Sequence, residues 1–374
     1  MQASHSAAGF AAVLIMLGSS SVHAEVRIGA ATPLTGPNSW MGEQHERGVT
    51  MAVADLNKAG GLLGESIELI VVDDYCEGEQ AVAAARKLIG DGVVFVAGHL
   101  CSGAAIPASA LYQEAGIVMI FPGATNPKLT EQGFSNVFRV VKRDSEQARL
   151  AGDYLAERWG DAKIAILHDG TVYGQGLAEA TKGQLNQRGV KETQFDEIVP
   201  GQPEYTETVA ALEAAGIKVL FYGGHPAETA LIARQVHQRG YDLQLVGSDT
   251  LNSEYFLRVA GPAVEGVRFV SMADPRLNEA AAPVVAKFRA EGYEPEGWTL
   301  YGYAVIQVWA QAVEKAGTFD AAAVVEALRH NEFDTVLGRL GFDDKGDVTG
   351  VDSFILYVWK DGNYGPVEPG KLTE

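Results

Sequence analysis

Five short stretches of this 374-residue chain place glycines, hydroxyls and carboxylates directly after apolar, β-rich runs. Gly98-His99-Leu100-Cys101-Ser102-Gly103-Ala104 follows residues 93–97, and Pro122-Gly123-Ala124-Thr125-Asn126-Pro127 follows 117–121. His168-Asp169, leading to Tyr173-Gly174-Gln175-Gly176, follows 163–167. Gly223-Gly224-His225-Pro226 follows 218–222, and Gly247-Ser248-Asp249-Thr250 follows 243–246. Glycine lets a backbone approach a bound group closely, and a helix that starts at such a tip offers unpaired N–H groups. Ser102 and Thr125 add hydroxyl donors, and none of the tips holds a Lys or Arg. That chemistry suits one small carboxylate held by hydrogen bonds; a phosphate site would bring a P-loop and its lysine, and neither is present. Asp249 is the candidate acceptor for a cationic amine, and Tyr173 the candidate cover. Each hydroxyl alone reads equally as a helix cap, and Asp249 alone as a turn residue. The set at consecutive strand ends points to a site, because open α/β sheets bind ligands beyond the carboxyl ends of their strands.

Other chemistries fit less well. His99, Cys101 and Ser102 would supply a nucleophile and a base, but neighbours in sequence rarely reach that geometry. Asp73-Asp74 after a strand could begin a metal or phospho-acceptor site, yet no partner ligands accompany it, and strand-end capping accounts for it. No zinc-like His/Cys spacing occurs. The expectation is a binding protein without catalysis, metal or cofactor. The only cysteines are Cys76 and Cys101; in an exported chain they favour one disulfide over two buried thiols.

The elements that must position these tips alternate along the chain. Strands are predicted at 26–31, 67–72, 93–97 and 117–121, with helices over 41–60 and 78–90. The pattern restarts with strands at 163–167, 218–222 and 243–246 and a helix over 174–188. A late helix over 299–316 and a terminal strand at 353–359 remain to complete one series or the other. Continuous apolar strands between helices imply parallel sheets covered on both faces, hence α/β architecture in two units. Composition agrees: 47% hydrophobic and 21% charged residues describe a globular chain with ample core. With 29 Lys+Arg against 48 Asp+Glu, the net charge of −19 argues against nucleic acid and anionic membrane surfaces as partners. Residues 7–18 are apolar but too few to span a bilayer. Val22-His23-Ala24 then reads as a small-x-small cleavage signal, although no Lys or Arg precedes the run. Residues 1–24 are therefore expected to be a signal peptide, with no lipid anchor because no Cys lies near Ala24.

In this order and spacing the motifs resemble the leucine/isoleucine/valine-binding proteins of periplasmic ABC transporters. The resemblance runs through Thr35-Gly36-Pro37, Asp73-Asp74-Tyr75-Cys76, Gly98-His99-Leu100-Cys101-Ser102, Ala124-Thr125-Asn126-Pro127, His168-Asp169 with Tyr173-Gly174-Gln175-Gly176, Tyr222-Gly223-Gly224 and Phe342-Asp343-Asp344-Lys345-Gly346-Asp347. It implies the type I periplasmic-binding fold: two Rossmann-like lobes joined by a hinge of three crossovers, closing on ligand. The N-terminal lobe is then expected at 25–142 and 275–345, and the C-terminal lobe at 143–274 and 346–374. The resemblance implies a Cys76–Cys101 disulfide. It also implies a carboxylate seat at Ser102 and Thr125 with backbone from Leu100, Gly123 and Ala124, and contact from Tyr173. Three positions depart from the family pattern. The amine-binding acid is Asp249 where Glu is common. His225 stands after the Gly-Gly turn where an aromatic is common, and Met41, with Trp40 one earlier, stands where an aromatic precedes Gly42. The ligand implied is a small aliphatic amino acid of branched-chain type, with Ala, Pro or a γ-amino acid as alternatives. The partner implied is a membrane permease, and the protein would act as a monomer in the periplasm. A soluble regulator or receptor-type sensor with the same fold is the competing reading.

Overall fold

A computed structural model describes residues 25–367; the segment read as a signal peptide and residues 368–374 lie outside them. Runs of apolar residues form strands with little or no exposed face. In the first sheet these are β1 (Glu25–Thr32), β2 (Ser66–Asp73), β3 (Phe95–Gly98), β4 (Val118–Phe121) and β5 (Val137–Arg139). They run parallel in the order β2-β1-β3-β4-β5. Their crossover helices are α1 (Ser39–Lys58), α2 (Gly78–Gly90) and α3 (Ser102–Ala115). Helix α2 buries Ala81, Ala84, Ala85 and Leu88, the stripe that a 3.6-residue repeat turns toward a sheet.

The second sheet is built the same way. Helix α4 (Asp144–Trp159) leads into β6 (Ile164–His168), α5 (Val172–Gln187), β7 (Gln194–Glu197), α6 (Thr206–Ala215), β8 (Val219–Gly223), α7 (Pro226–Arg239), β9 (Gln244–Gly247), α8 (Glu254–Ala260) and β10 (Arg268–Met272). The chain then returns to the first sheet through α9 (Ala282–Ala290), α10 (Thr299–Ala316), α11 (Ala321–His330) and a small antiparallel sheet of β11 (Phe333–Thr335), β12 (Gly338–Phe342) and β13 (Val348–Thr349). It finally crosses back as β14 (Phe354–Lys360) and β15 (Asn363–Pro366), giving the order β15-β14-β10-β9-β8-β6-β7. Strand β14 is antiparallel to both neighbours, so this sheet is mixed at one edge rather than wholly parallel.

The predicted helix over 78–90 and the late helix over 299–316 match α2 and α10 residue for residue. Both leftover elements do return: α10 lies on α1 and β14 on β10. Helices α1 and α10 are close because Gly48 lacks a side chain; a Cβ there would come within 2.0 Å of the Thr299 carbonyl oxygen. The chain passes between the sheets three times, after β5, after β10 and after β13. Arg139, fully buried at the end of β5, ties two of these passages together. Its Nε donates to Asp347 Oδ1 at 2.5 Å, and its other nitrogens donate to the carbonyls of Ala124 and Asn126 and to Thr130 Oγ1. Asp347 is thereby tied to the end of β5, and β13 after it pairs with β12.

Candidate functional site

The carboxyl ends of β3, β4, β6, β8 and β9 face one another across a cleft that encloses a cavity of about 310 Å³. On the first wall, β3 ends in the turn that starts α3. Ser102 and Gly103 of its first turn line the cavity, where helix N–H groups have no carbonyl four residues back. Gly123 lines it beside Leu100, and a Cβ on Gly123 would lie 2.5 Å from Leu100 Cδ1, so glycine is required for these two tips to touch. Ser102 Oγ accepts from the Asn126 N–H at 3.2 Å, which leaves its own proton for the cleft. Thr125 Oγ1 is buried, lines the cavity and has no hydrogen-bond partner among the described residues.

The second wall presents Asp249 in the turn after β9. It is 1% exposed. Its Oδ1 accepts from the Tyr173 hydroxyl at 2.5 Å and from Gln147 Nε2 at 3.4 Å, while Oδ2 has no partner. Burial pushes its pKa above the ordinary carboxylate value, against the pull of the Tyr173 and Gln147 bonds. The same burial, with the Asp249 charge alongside, holds the Tyr173 phenol protonated far above its usual range. Ser248 and Thr250 donate to the Gly224 carbonyl at 3.1 and 3.0 Å and so fasten the β9 tip to the β8 tip. Behind Asp249 sits Asp144, first residue of α4. Burial and then the Asp249 charge push its pKa up to about 7.

Of the residues singled out in the sequence, the fold brings Met41, Leu100, Ser102, Gly123, Thr125, Tyr173, His225 and Asp249 to the cavity. Ala124 and Trp40 do not line it. Ala124 is fully buried in the first-sheet core, giving its carbonyl to Arg139. Trp40 points along α1 to stack on Tyr255 of α8, ring centroids 5.2 Å apart and planes 8° from parallel. That stack joins the two walls, and hydrogen bonds do so as well. Asn126 Nδ2 donates to the Val172 carbonyl at 3.0 Å, and the Glu254 N–H donates to both Glu296 oxygens at 3.0 and 3.1 Å. Cys76 and Cys101 form a disulfide with Cα atoms 5.3 Å apart, on the cavity wall. A nitrogen of His225 lies within 4.8 Å of both sulfurs, but bonded sulfurs offer no thiolate to a metal.

Residues not singled out as ligand contacts from the sequence also line the cavity. Asp169 and Thr171 belong to a tip that was recognised, and their Asp-x-Thr spacing is a helix-cap signal that could have flagged them. Trp298 and Glu228 carry no such local mark. His99 does not line the cavity: it is fully buried between Asp74 Oδ2, at 2.7 Å, and the Tyr112 hydroxyl, at 3.1 Å. With Cys101 in a disulfide, no Cys–His nucleophile exists here. Asp73 caps its strand end as expected, accepting from the N–H groups of Leu34 and Tyr75 at 2.9 Å.

Two α/β lobes with a cleft between their strand ends, crossed three times by the chain, define a hinged solute-binding architecture. The chain belongs to the periplasmic binding protein family, whose model matches residues 25–363. It is 42% identical over 364 residues to a Leu/Ile/Val-binding protein homolog from Brucella suis, covering 96% of this chain and 98% of that one. A leucine-binding protein from Thermotoga maritima shares the fold at a TM-score of 0.83 and 24% identity, over 91% of this chain and 97% of that one. An ABC transporter substrate-binding protein from Desulfitobacterium hafniense, solved in complex with Leu, superposes at a TM-score of 0.75 with 26% identity, over 92% of this chain and all of that one. No helix among the described residues is long and apolar enough to cross a membrane.

Proposed function

We propose that this chain is the periplasmic substrate-binding component of an ABC transporter for amino acids, holding a small zwitterionic amino acid of branched-chain type between its lobes. One observation carries the reading: a buried hydroxyl without a partner, Thr125 Oγ1, lines one wall, and a buried carboxylate oxygen without a partner, Asp249 Oδ2, belongs to a residue lining the other. Leaving such groups unpaired costs about 1–3 kcal/mol each. A zwitterion satisfies both, its carboxylate at Ser102, Thr125 and the start of α3, its ammonium at Asp249. Leu100 and Gly123 shape the carboxylate seat, and Tyr173 orients Asp249. Met41, His225, Trp298 and the disulfide enclose the side chain. Trp40 and Ala124 act through packing rather than contact. The names of the Brucella, Thermotoga and Desulfitobacterium proteins support an amino-acid ligand, and membership of a binding-protein family supports a role without catalysis.

In this reading the N-terminal lobe comprises 25–142 and 275–345, extended to Thr349 by the β12–β13 pairing, and the C-terminal lobe the remainder. The leader ends near Ala24, and the mature chain delivers ligand as a single copy to a membrane permease. The test is titration calorimetry of wild type and Asp249→Asn with leucine and with 4-methyl-2-oxopentanoate, its amine-free analogue. Asp249→Asn should lose about 2–5 kcal/mol of leucine affinity, as for truncating one partner of a buried charge pair, and the keto acid should not bind. Equal affinity for leucine and the keto acid overturns the assignment.

A further inference from the structure

Asn126 does not line the cavity, yet its bonds run from one wall to the other. Its N–H donates to Ser102 Oγ at 3.2 Å, and its carbonyl accepts from Arg139 Nη1 at 3.0 Å. Its side-chain Oδ1 accepts from the Lys128 N–H at 3.0 Å, and Nδ2 donates to the Val172 carbonyl at 3.0 Å. Turning the amide over would set donor against donor and acceptor against acceptor, so its orientation is fixed. Only the Nδ2 bond leaves the first wall. It ends on the first residue of α5, next to Tyr173, whose hydroxyl holds Asp249. Gly176 makes room for that crossing. A Cβ there would lie 2.7 Å from Asn126 Nδ2 and 4.0 Å from its Cγ, and no other atom beyond α5 itself comes within 4 Å. Helix α5 has no need of glycine at this position: Gly176 is not among the glycines of positive φ, and a glycine inside a helix weakens it.

We infer that Asn126, reaching into the space that Gly176 leaves, is the clasp that couples an occupied carboxylate seat to closure of the cleft, and so sets how long a bound amino acid is held. This deepens the amino-acid reading above and rests on it. Asn126 is a positioning residue and touches no ligand. Because Ser102 Oγ accepts from the Asn126 N–H, its own proton is free for the ligand. A carboxylate that takes this proton extends the chain of hydrogen bonds and strengthens the link behind it. The backbone of residue 126 is thereby held more firmly, and with it the amide that reaches α5. The bonds to Arg139 and Lys128 keep that amide aimed while the cleft is open. Opening parts Nδ2 from the Val172 carbonyl, and water then serves both groups. The crossing bond therefore acts only in the closed state, where it slows release and leaves encounter unchanged.

The experiment is stopped-flow fluorescence with leucine on wild type, Asn126→Ser, Gly176→Ala and the double variant, with melting of each ligand-free protein alongside. Serine keeps an oxygen for the Lys128 N–H but is too short to reach Val172. Alanine at 176 leaves every first-wall bond in place and favours the helix, so Gly176→Ala should melt no lower than wild type. Each single variant should release leucine about three- to tenfold faster, with association changed by less than about twofold. Both remove the same contact, so the double variant should release no faster than the faster single one. Two results overturn the inference: wild-type release from Gly176→Ala, or a double variant whose effect is the product of the two singles. The Gly176→Ala rate decides even if Asn126→Ser fails to fold. Wild type binding none of leucine, isoleucine and valine overturns the amino-acid reading and the clasp with it, whereas leucine bound and released alike by wild type and Gly176→Ala overturns the clasp alone.

Discussion

Replacing Asp144 by asparagine removes a charge from the interior without changing its shape. Asp144 is 1% exposed. Burial, with the Asp249 charge second, raises its pKa from 3.8 to about 7. An acid that holds its proton more tightly when folded stabilises the fold fully below its unfolded pKa, and loses that contribution as pH rises through the folded value. At 1.36 kcal/mol per unit, a rise of about 3 units corresponds to roughly 4 kcal/mol lost between pH 4 and 7. His45 works in the opposite sense. Burial lowers its pKa from 6.5 to about 4, so its contribution is present above pH 6.5 and is lost as pH falls toward 4, by roughly 3 kcal/mol. Glu296, whose pKa burial also raises to about 7, acts in the same sense as Asp144, so only the difference between wild type and Asp144→Asn isolates the Asp144 contribution. Calorimetric melting of the ligand-free protein should give equal midpoints at pH 4 and a variant several degrees more stable at pH 8, at about 2–4 °C per kcal/mol for a lobe of this size. Equal midpoints at pH 8, or a gap that does not widen from pH 4 to pH 8, would show that Asp144 ionises without penalty and refute the reasoning.

Ser102→Ala and Thr125→Ala should each weaken amino-acid binding by about 1.5–3 kcal/mol, tenfold or more in Kd, with a lowered unfolding midpoint only in Ser102→Ala, which strips the buried Asn126 N–H of its acceptor; wild-type affinity in both would place the carboxylate elsewhere. Exchanging Cys76 and Cys101 for serine opens a loop of sequence separation 25 and should lower unfolding free energy in urea by about 3.5 kcal/mol in the chain-entropy model, an expectation that an unshifted curve contradicts. Trp40→Ala removes the stack on Tyr255 without touching the cavity. It should cost about 0.5–1.5 kcal/mol of affinity, seen in stopped flow as faster ligand release; an unchanged release rate would mean the stack does not hold the lobes closed.

The site tips were legible because strand ends are marked locally. A buried strand needs an unbroken apolar run, the turn after it needs glycine, and the helix beyond needs a cap, all within a dozen residues. Hence Ser102, Thr125, Tyr173 and Asp249 stood out, and α2 and α10, with clear amphipathic or apolar signatures, were bounded correctly. Helix α3 was harder to read. Its Ala- and Ser-rich sequence carries Pro107 in its interior, and it lacks the one-sided stripe of a surface helix.

The sequence determined the α/β alternation, the positions of the tips and the chemistry each could offer, since these depend on neighbours a few residues away. Only the tertiary structure decided which of two adjacent residues, Trp40 or Met41, faces the cavity, because one turn of α1 serves both the cleft and the Tyr255 stack. It alone decided that Gln147 and Asp249, 102 residues apart, share a hydrogen bond, that Asp169 pairs with His225, and that Arg139 locks the Thr125 tip to Asp347. The physical reason is that these contacts arise where the three passages between the sheets bring separate strand ends together. No local periodicity records that meeting, because the free energy that fixes it is the burial of whole sheet and helix faces rather than the preference of any single segment.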